Sequence, residues 1–325
     1  MKQSSHRRLF IATALTATFG FVQAASAQQY PNRPVRIIVP FTASGPTDIV
    51  ARVIGQRLYE ALGQQFIIDN RGGTNVGAQL AARAAPDGYT LFVTGIATLS
   101  IAPHMHKSLP YDPFKDFAPI SKLTVQPLML MVHPSLPVRT VNDFIALVRT
   151  RPGQLDYASS GLAGTGHLAG ELFKSITKTS IEHIPYKGAS PALTDLVAGQ
   201  VQVMFGTMLA AVPLLKSGKI RALAVTGEKR ALAVPNVPTF AEAGLANFDA
   251  VSWNCMVAPA GTPVEIINRL NTELVRIVRD PTVLERLTGD GVVGTGSTPQ
   301  ETAAYIKSES VKWGKVLRDA GIKPN

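Results

Sequence analysis

Two stretches of small, mostly uncharged residues carry the chemistry of this chain. The first, Phe41-Thr42-Ala43-Ser44-Gly45-Pro46-Thr47-Asp48, follows the β-branched run Val35 to Val39 and its terminator Pro40. Pro46 suits the first turn of a helix, and Ile49, Val50, Val53, Ile54, Leu58 and Leu62 continue at helical spacing, predicting a helix from Thr47 to Leu62. A helix start exposes unpaired N–H groups and a partial positive charge, so this loop can hold an anion without Arg or Lys. Asp48 falls in the first turn, where it either complements the helix dipole or holds the loop and accepts a hydrogen bond from a polar ligand. The second stretch, Ser159-Ser160-Gly161-Leu162-Ala163-Gly164-Thr165-Gly166, joins the strand-like Asp156-Tyr157-Ala158 to a helix predicted from His167 to Thr177.

That second stretch admits three chemistries. Gly164-Thr165-Gly166-His167-Leu168-Ala169 matches the G-x-G-x-x-A dinucleotide fingerprint, but the next strand ends Pro185-Tyr186-Lys187 with no acid placed for a ribose. Ser160 with His167 could serve a hydrolase, yet no G-x-S-x-G elbow is present. A backbone N–H nest for an anion is the better reading, with His167 shaping the loop or touching the ligand. Ile184-Pro185-Tyr186 echoes Val39-Pro40-Phe41: each ends a strand on Pro-aromatic before a small-residue loop and a helix start, here Ser190-Pro191. Lys187 is either a surface charge or a closing counter-ion, and Trp253 either core or cleft wall. His104-x-His106 has no Cys or carboxylate cluster beside it and reads as solvated loop, so no metal and no cofactor are expected.

Strand and helix signals alternate through the rest of the chain, which argues for an α/β fold with parallel sheets and covering helices. Strands are expected at Phe66 to Ile68, Thr90 to Thr94, Leu128 to Val132, Ile181 to Tyr186, Val201 to Phe205, Ile220 to Thr226 and Asp249 to Val257. Helices are expected at Gly77 to Ala85, Thr140 to Arg151, Met208 to Lys216, Pro263 to Arg279, Thr282 to Leu287 and Pro299 to Leu317, the last with Thr298 and Glu301 as a capping pair. Residues 103–119, with four prolines and little periodicity, read as a long loop. Two facing lobes with anion loops would enclose a cleft: residues 28–127 and 250–325 in one, 128–249 in the other.

The first residues bound where the protein works. Lys2, His6, Arg7 and Arg8 precede an uncharged apolar stretch from Leu9 to Val22 and an A-x-A site at Ala25-Ser26-Ala27, the pattern of a signal peptide over residues 1–27 that is cleaved after Ala27. Arg7-Arg8-Leu9-Phe10 has a twin-arginine look, but His6 stands where Ser or Thr is usual, so general export is the better expectation. The chain would then lie in the periplasm. The net charge of +10 falls to about +7 once Lys2, Arg7 and Arg8 leave, since residues 1–27 hold no acid. The remaining positive charge is scattered, without basic runs interleaved with aromatics, which fits mild steering of anions and no nucleic-acid partner. The one cysteine, Cys255, sits in an apolar run and reads as a buried small hydrophobe.

Over nearly the whole of this expected mature chain the sequence resembles the solute receptors of tripartite tricarboxylate transporters, the Bug receptor family. The motifs that carry the resemblance run in order: Pro34-Val35-Arg36-Ile37-Ile38-Val39-Pro40-Phe41, Thr47-Asp48-Ile49-Val50-Ala51-Arg52, Asn70-Arg71-Gly72-Gly73, Ala84-Ala85-Pro86-Asp87-Gly88-Tyr89-Thr90-Leu91 and Leu109-Pro110-Tyr111-Asp112-Pro113. His167-Leu168-Ala169-Gly170-Glu171-Leu172-Phe173, Pro185-Tyr186-Lys187-Gly188, Pro191-Ala192-Leu193-Thr194-Asp195-Leu196, Leu223-Ala224-Val225-Thr226 and Ala258-Pro259-Ala260-Gly261-Thr262-Pro263 follow. The resemblance implies a type II periplasmic-binding-protein fold and a non-catalytic receptor. It would capture a small organic carboxylate by lobe closure and deliver it to two-component permease subunits in the inner membrane, as a monomer. It places the carboxylate on Thr42 to Thr47 and the clamp on Ser159, Ser160, Gly161 and Thr165, with Phe41, Asp48, His167, Tyr186 and Gly206 around them. Two departures stand out. The family commonly has Pro-Gly-Gly after Pro40-Phe41 where this chain has Ala43-Ser44-Gly45, and often Asp after Phe205 where it has Gly206. The second departure removes an acidic contact and favours an amine-free carboxylate. A sensory receptor that presents its ligand to a membrane kinase, and an exported hydrolase acting through Ser160 and His167, are the alternatives.

Overall fold

A computed structural model of the chain describes residues 30–41, 43, 45–162, 164–208, 210–287 and 291–324; the expected leader and two loop residues expected at the site, Thr42 and Ser44, lie outside the described residues. In chain order the elements are β1 (Val35–Val39), α1 (Pro46–Leu62), β2 (Phe66–Asn70), α2 (Thr74–Ala82), β3 (Thr90–Gly95), a π-helical turn (Ala97–Ile101) running into α3 (Ala102–Met105), β4 (Phe117–Pro127), β5 (Met129–Val132), α4 (Val141–Thr150) and β6 (Asp156–Ser159). Then come α5 (Thr165–Thr177), β7 (Glu182–Pro185), α6 (Ala189–Val197), β8 (Val203–Gly206), α7 (Val212–Lys216), β9 (Arg221–Val225), β10 (Val251–Pro259), α8 (Val264–Val278), α9 (Pro281–Leu287), β11 (Val293–Gly294) and α10 (Pro299–Asp319).

The alternating pattern resolves into two sheets. One has the order β11-β4-β10-β3-β1-β2, the other β7-β6-β8-β5-β9. Apart from β11, the two correspond strand for strand. In each, a βαβαβ unit supplies three parallel strands in the order second, first, third (β2-β1-β3 and β7-β6-β8), and an antiparallel strand (β10 or β5) pairs with the third. Parallel strands need helices on both faces, and they read accordingly: Ile37, Ile38 and Val39 of β1 are fully buried. On one face of the first sheet α1 and α8 close a core around Ile54, Leu58, Leu270 and Leu274. On the other α10 lays down Trp313, and both Trp313 and Trp253 of β10 donate their indole N–H to the buried Glu309 carboxylate at 3.0 Å. Trp253 is thus core, and Cys255 beside it is buried, with burial pushing its thiol well above the usual range.

The sheets exchange strands. The chain leaves the first sheet through β4, enters the second at β5, and returns from β9 to β10. Thr226 joins the two crossings: its hydroxyl accepts from the Leu128 N–H at 2.8 Å and donates to the Ala250 carbonyl at 2.7 Å, while its own N–H reaches the Leu128 carbonyl at 2.9 Å. All of these groups are buried.

Several elements differ from the sequence expectation. The stretch 103–119, expected as loop, holds the end of α3 and the start of β4, an eleven-residue strand between β11 and β10. Its prolines disguised it. Pro119 pairs with Val257 beside a register shift and Pro127 ends the strand, the places where a strand tolerates a missing N–H. Helix α2 starts at Thr74 rather than Gly77, and α5 at Thr165 rather than His167. Helix α6 starts on Gly188, whose φ of 120° favours glycine, so Ser190 and Pro191 lie inside it. Helix α7 starts at Val212, four residues after the expected Met208. The capping pair before α10 is present as expected, with Thr298 and Glu301 each bonded to the other's N–H.

Replacing Thr226 by Val keeps the shape and orphans the Leu128 N–H and the Ala250 carbonyl. We expect a loss of about 2–4 kcal/mol in urea unfolding; an unchanged midpoint would show that the crossings do not depend on this hydroxyl.

Candidate ligand-binding cleft

Between the sheets lies a cavity of about 440 Å³. Its polar walls are helix starts: Gly45, Pro46 and Thr47 of α1, Gly164, Thr165 and Gly166 of α5, and Ala189 of α6. The N-cap residues of these helices are all glycine and bring no capping side chain. By contrast α4 and α10 both start on full capping boxes, Thr140 with Asp143 and Thr298 with Glu301. Among the described residues no side chain caps these three starts, so N–H groups such as those of Thr47, Thr165 and Gly166 are available to whatever enters the cleft. Phe41, Leu128, Met204 and Phe205 give apolar surface, and Gln126, Ser160, Gly206, Thr207, Ser252 and Asn254 complete the lining. None of the lining residues is charged. The arrangement suits a small anion held by oriented dipoles.

Close backbone approach aims the α5 start. A Cβ on Gly166 would sit 2.4 Å from the Phe205 carbonyl oxygen, so only glycine lets the helix rest on the end of β8. Thr47 is fixed across the sheet: its hydroxyl donates to Asn254 Oδ1 at 2.8 Å, and Asn254 Nδ2 reaches Thr124 Oγ1 at 3.3 Å.

The residues singled out in the sequence divide between the cleft and the layer behind it. Phe41, Gly45, Thr47, Ser160, Thr165 and Gly206 line the cavity. Ala43 is exposed and is not among the lining residues. Asp48 is buried under the first loop, accepting from Arg52 Nε and from Asn70 Nδ2, each at 2.9 Å; the same Asn70 nitrogen donates to the Phe41 carbonyl at 3.2 Å. Asp48 thus acts on the loop through Asn70. Ser159 is fully buried, with its hydroxyl 2.7 Å from His183 Nε2, 3.0 Å from the Gly161 carbonyl and 3.3 Å from the Gly161 N–H. It shapes the turn that presents Ser160. Tyr186 donates its N–H to the Ser159 carbonyl at 3.0 Å and its hydroxyl to Asp195 at 2.7 Å; burial, then that hydrogen bond, pushes the phenol up to about 12. Lys187 is exposed and is not among the lining residues, and His104 meets Ser310 Oγ on α10 at 2.9 Å.

His167 is buried behind the cleft, its ring stacked on His183 at 3.8 Å and 10°, with Glu171 at 3.9 Å. The Ser–His pair beside the cleft is therefore Ser159–His183, neither of which lines the cavity, rather than Ser160–His167. Burial, then the neighbouring His167 and Lys174, pushes His183 down to about 4; burial also lowers His167, against the pull of Glu171. Glu171 itself accepts from the Tyr157 hydroxyl at 2.7 Å and from Lys174 at 3.0 Å. The lining residues Gln126, Ser252, Asn254 and Thr207 had not been singled out in the sequence. Three of them sit on β4 and β10, whose pairing joins distant parts of the chain and leaves no local signal.

An uncharged cleft between two α/β lobes, walled by helix starts, defines a two-lobed solute-binding protein of the periplasmic-binding-protein kind. Residues 50–322 match the family described as tripartite tricarboxylate transporter family receptor, and the chain belongs to that family. It is 36% identical over 320 residues to the protein BugT of Bordetella pertussis, covering 98% of both chains. Among solved structures it is similar to a Rhodopseudomonas palustris protein with adipate, at 40% identity and a TM-score of 0.76 over 91% of this chain and all of that one. The MatC protein of Rhodopseudomonas palustris with bound malate is 34% identical, with a TM-score of 0.71 over 89% of this chain and 100% of that one.

Two outcomes follow from this geometry. Gly166→Ala should push the α5 start off β8, lowering stability by about 1–3 kcal/mol in urea unfolding and weakening ligand binding in calorimetry, although Ala is the better helix former. Retained affinity would mean that the α5 start is not held by this contact. The second outcome concerns pH. The unfolded chain protonates its histidines near 6.5, the folded chain His183 only near 4, so the unfolded state binds more protons in between. Stability should be full above pH 6.5 and fall as pH drops toward 4. His183→Gln should flatten the decline between pH 6.5 and 5; an equal slope in both proteins would remove His183 as its source.

Proposed function

We propose that this protein is a periplasmic receptor that closes on a small, amine-free organic carboxylate and delivers it to inner-membrane permease subunits. The observation that carries this reading is the cleft itself: three helix starts with glycine caps converge on a cavity whose lining residues carry no charge. Such a site stabilises a carboxylate through N–H groups and has no carboxylate of its own to hold an ammonium. Gly206, where the family often has Asp, lines that cavity. The relatives solved with adipate and with malate support the carboxylate class. Thr42 and Ser44 of the first loop, with Gly45 and Thr47, and Ser160, Gly161 and Thr165 of the second, are the proposed grip, supported from behind by Asp48, Ser159, His167 and Tyr186. Closure brings residues 28–127 with 250–325 against residues 128–249. The receptor acts as a monomer, exported by a leader cleaved after Ala27, and does no chemistry on its ligand. Among the described residues no helix is long and apolar enough to cross a membrane.

The test is native mass spectrometry of the protein from Gln28, as purified and then with a panel of acids. A single added mass that exchanges with one class of amine-free acid is expected. Tighter binding of aspartate or glutamate than of citrate, malate or aromatic acids would sink the amine-free reading. Ester turnover that Ser160→Ala abolishes would make the protein an enzyme.

A further inference from the structure

One polar group in the cleft is buried and has no protein partner. Gln126 lies on β4 one residue before the crossing into the second sheet, in register with Ser252 of β10. It is 5% exposed, it lines the cavity, and its Nε2 makes no hydrogen bond among the described residues. Folded proteins pair nearly all such groups, because an orphaned buried amide forfeits its bonds to water and gains none in return. The other amide of the wall, Asn254, is committed on both sides, to Thr47 and Thr124. Gln126 is therefore the uncommitted side-chain amide of the cleft, and it stands on the strand crossing rather than on the helix starts that suit a carboxylate.

We infer that Gln126 is a specificity-determining ligand contact, donating Nε2–H to a second oxygen of the ligand while the helix starts take its carboxylate. The inference rests on the carboxylate-receptor reading and narrows its ligand. A buried N–H donor asks for an acceptor: a second carboxylate, a carbonyl or a hydroxyl oxygen. A plain aliphatic tail leaves the amide orphaned, and an ammonium sets donor against donor. Phe41, Leu128, Met204 and Phe205 provide the apolar surface for a short carbon spacer between the two polar ends. The ligand class is thus a short-chain acid with oxygen at both ends, and Gln126 is what separates it from the monofunctional acid of the same length.

Calorimetry on the full mature chain with matched pairs tests this: succinate against butyrate, adipate against hexanoate, and the half-amide of each diacid to separate a second carboxylate from a neutral carbonyl. Wild type should prefer the member with the second oxygen in at least one pair. Gln126→Met, close in shape and without the donor, should cut that preference roughly ten- to hundredfold while moving the monofunctional acid by less than about threefold. Gln126→Glu should lose the diacid more severely than its half-amide, since only the diacid meets a like charge, and Gln126→Asn should fall between wild type and Met. The unliganded Gln126→Met protein should melt at or above the wild-type temperature, because an orphaned amide has been removed. A preference unchanged in Gln126→Met, or a variant that melts lower or fails to fold, would overturn the inference by making the amide structural. Wild type that binds monofunctional acids as tightly as their partners would overturn it and leave the receptor reading standing. Wild type that binds no member of the panel would count against the carboxylate reading beneath it.

Discussion

The structure turns on how an anion is to be held with no cation in reach. The chain has a net charge of +10, yet among the described residues no charged side chain lines the cleft. On the proposed reading, three helix starts without a side-chain cap replace them, each helix end worth about half an elementary charge. This choice constrains the backbone more than the side chains. The caps Gly45, Gly164 and Gly188 bring no side chain, and the α5 start must come down onto a strand end, hence Gly166 against the Phe205 carbonyl. A site made of dipoles works only if they are aimed, and glycine at these positions permits the aiming.

Aiming also needs stiffness in loops of small residues, which supply little of their own. Polar networks behind the cleft provide it. Asp48 and Asn70 hold the carbonyl of Phe41 at the mouth of the first loop. His183 and Ser159 fix Gly161 in the second, and the stacked His167 ties that turn to Glu171 and Lys174. These groups are mostly buried and mutually bonded, so the polar atoms that hold Phe41 and Gly161 are spent on that task. This explains why residues with evident chemistry, an Asp and two His, stand behind the cleft rather than in it.

Local signals made much of this legible. The strand-loop-helix passages at Val39 to Asp48 and at Ala158 to His167 could be read because the apolar run, the small-residue loop and the helix start all fall within one short window. The same holds for the capping pair at Thr298. β4 was not legible, since prolines interrupt it and its partner β10 lies far along the chain. Gln126 and Asn254 went unseen with it: a polar residue in a strand declares itself only once the pairing shows which side it faces. The role of Ser159 was hidden for the same reason, because the histidine that orders it, His183, arrives on the neighbouring strand β7. The Pro-aromatic echo at Phe41 and Tyr186 is real as a local turn but joins strands that do not correspond, since the counterpart of β1 in the second sheet is β6.

The division of the helix starts between the sheets gives the cleft its mechanical consequence. The α1 start rides on the first sheet, and the α5 and α6 starts on the second. The strands that join the sheets cross at Thr226, Leu128 and Ala250. An anion resting on one lobe alone meets only part of the available partial charge. On the proposed reading, closing the lobes would bring the remaining N–H groups to the same oxygen atoms and expel water, which strengthens each dipole contact in the cavity. The ligand's affinity therefore differs between open and closed arrangements by the contacts of the second lobe, and that difference is what shifts the population toward closure. A single buried Arg would have held the anion nearly as well with the lobes apart and would have uncoupled binding from closing. Partial charges split across the hinge make the two events one, and they let the ligand go again when the lobes are drawn open.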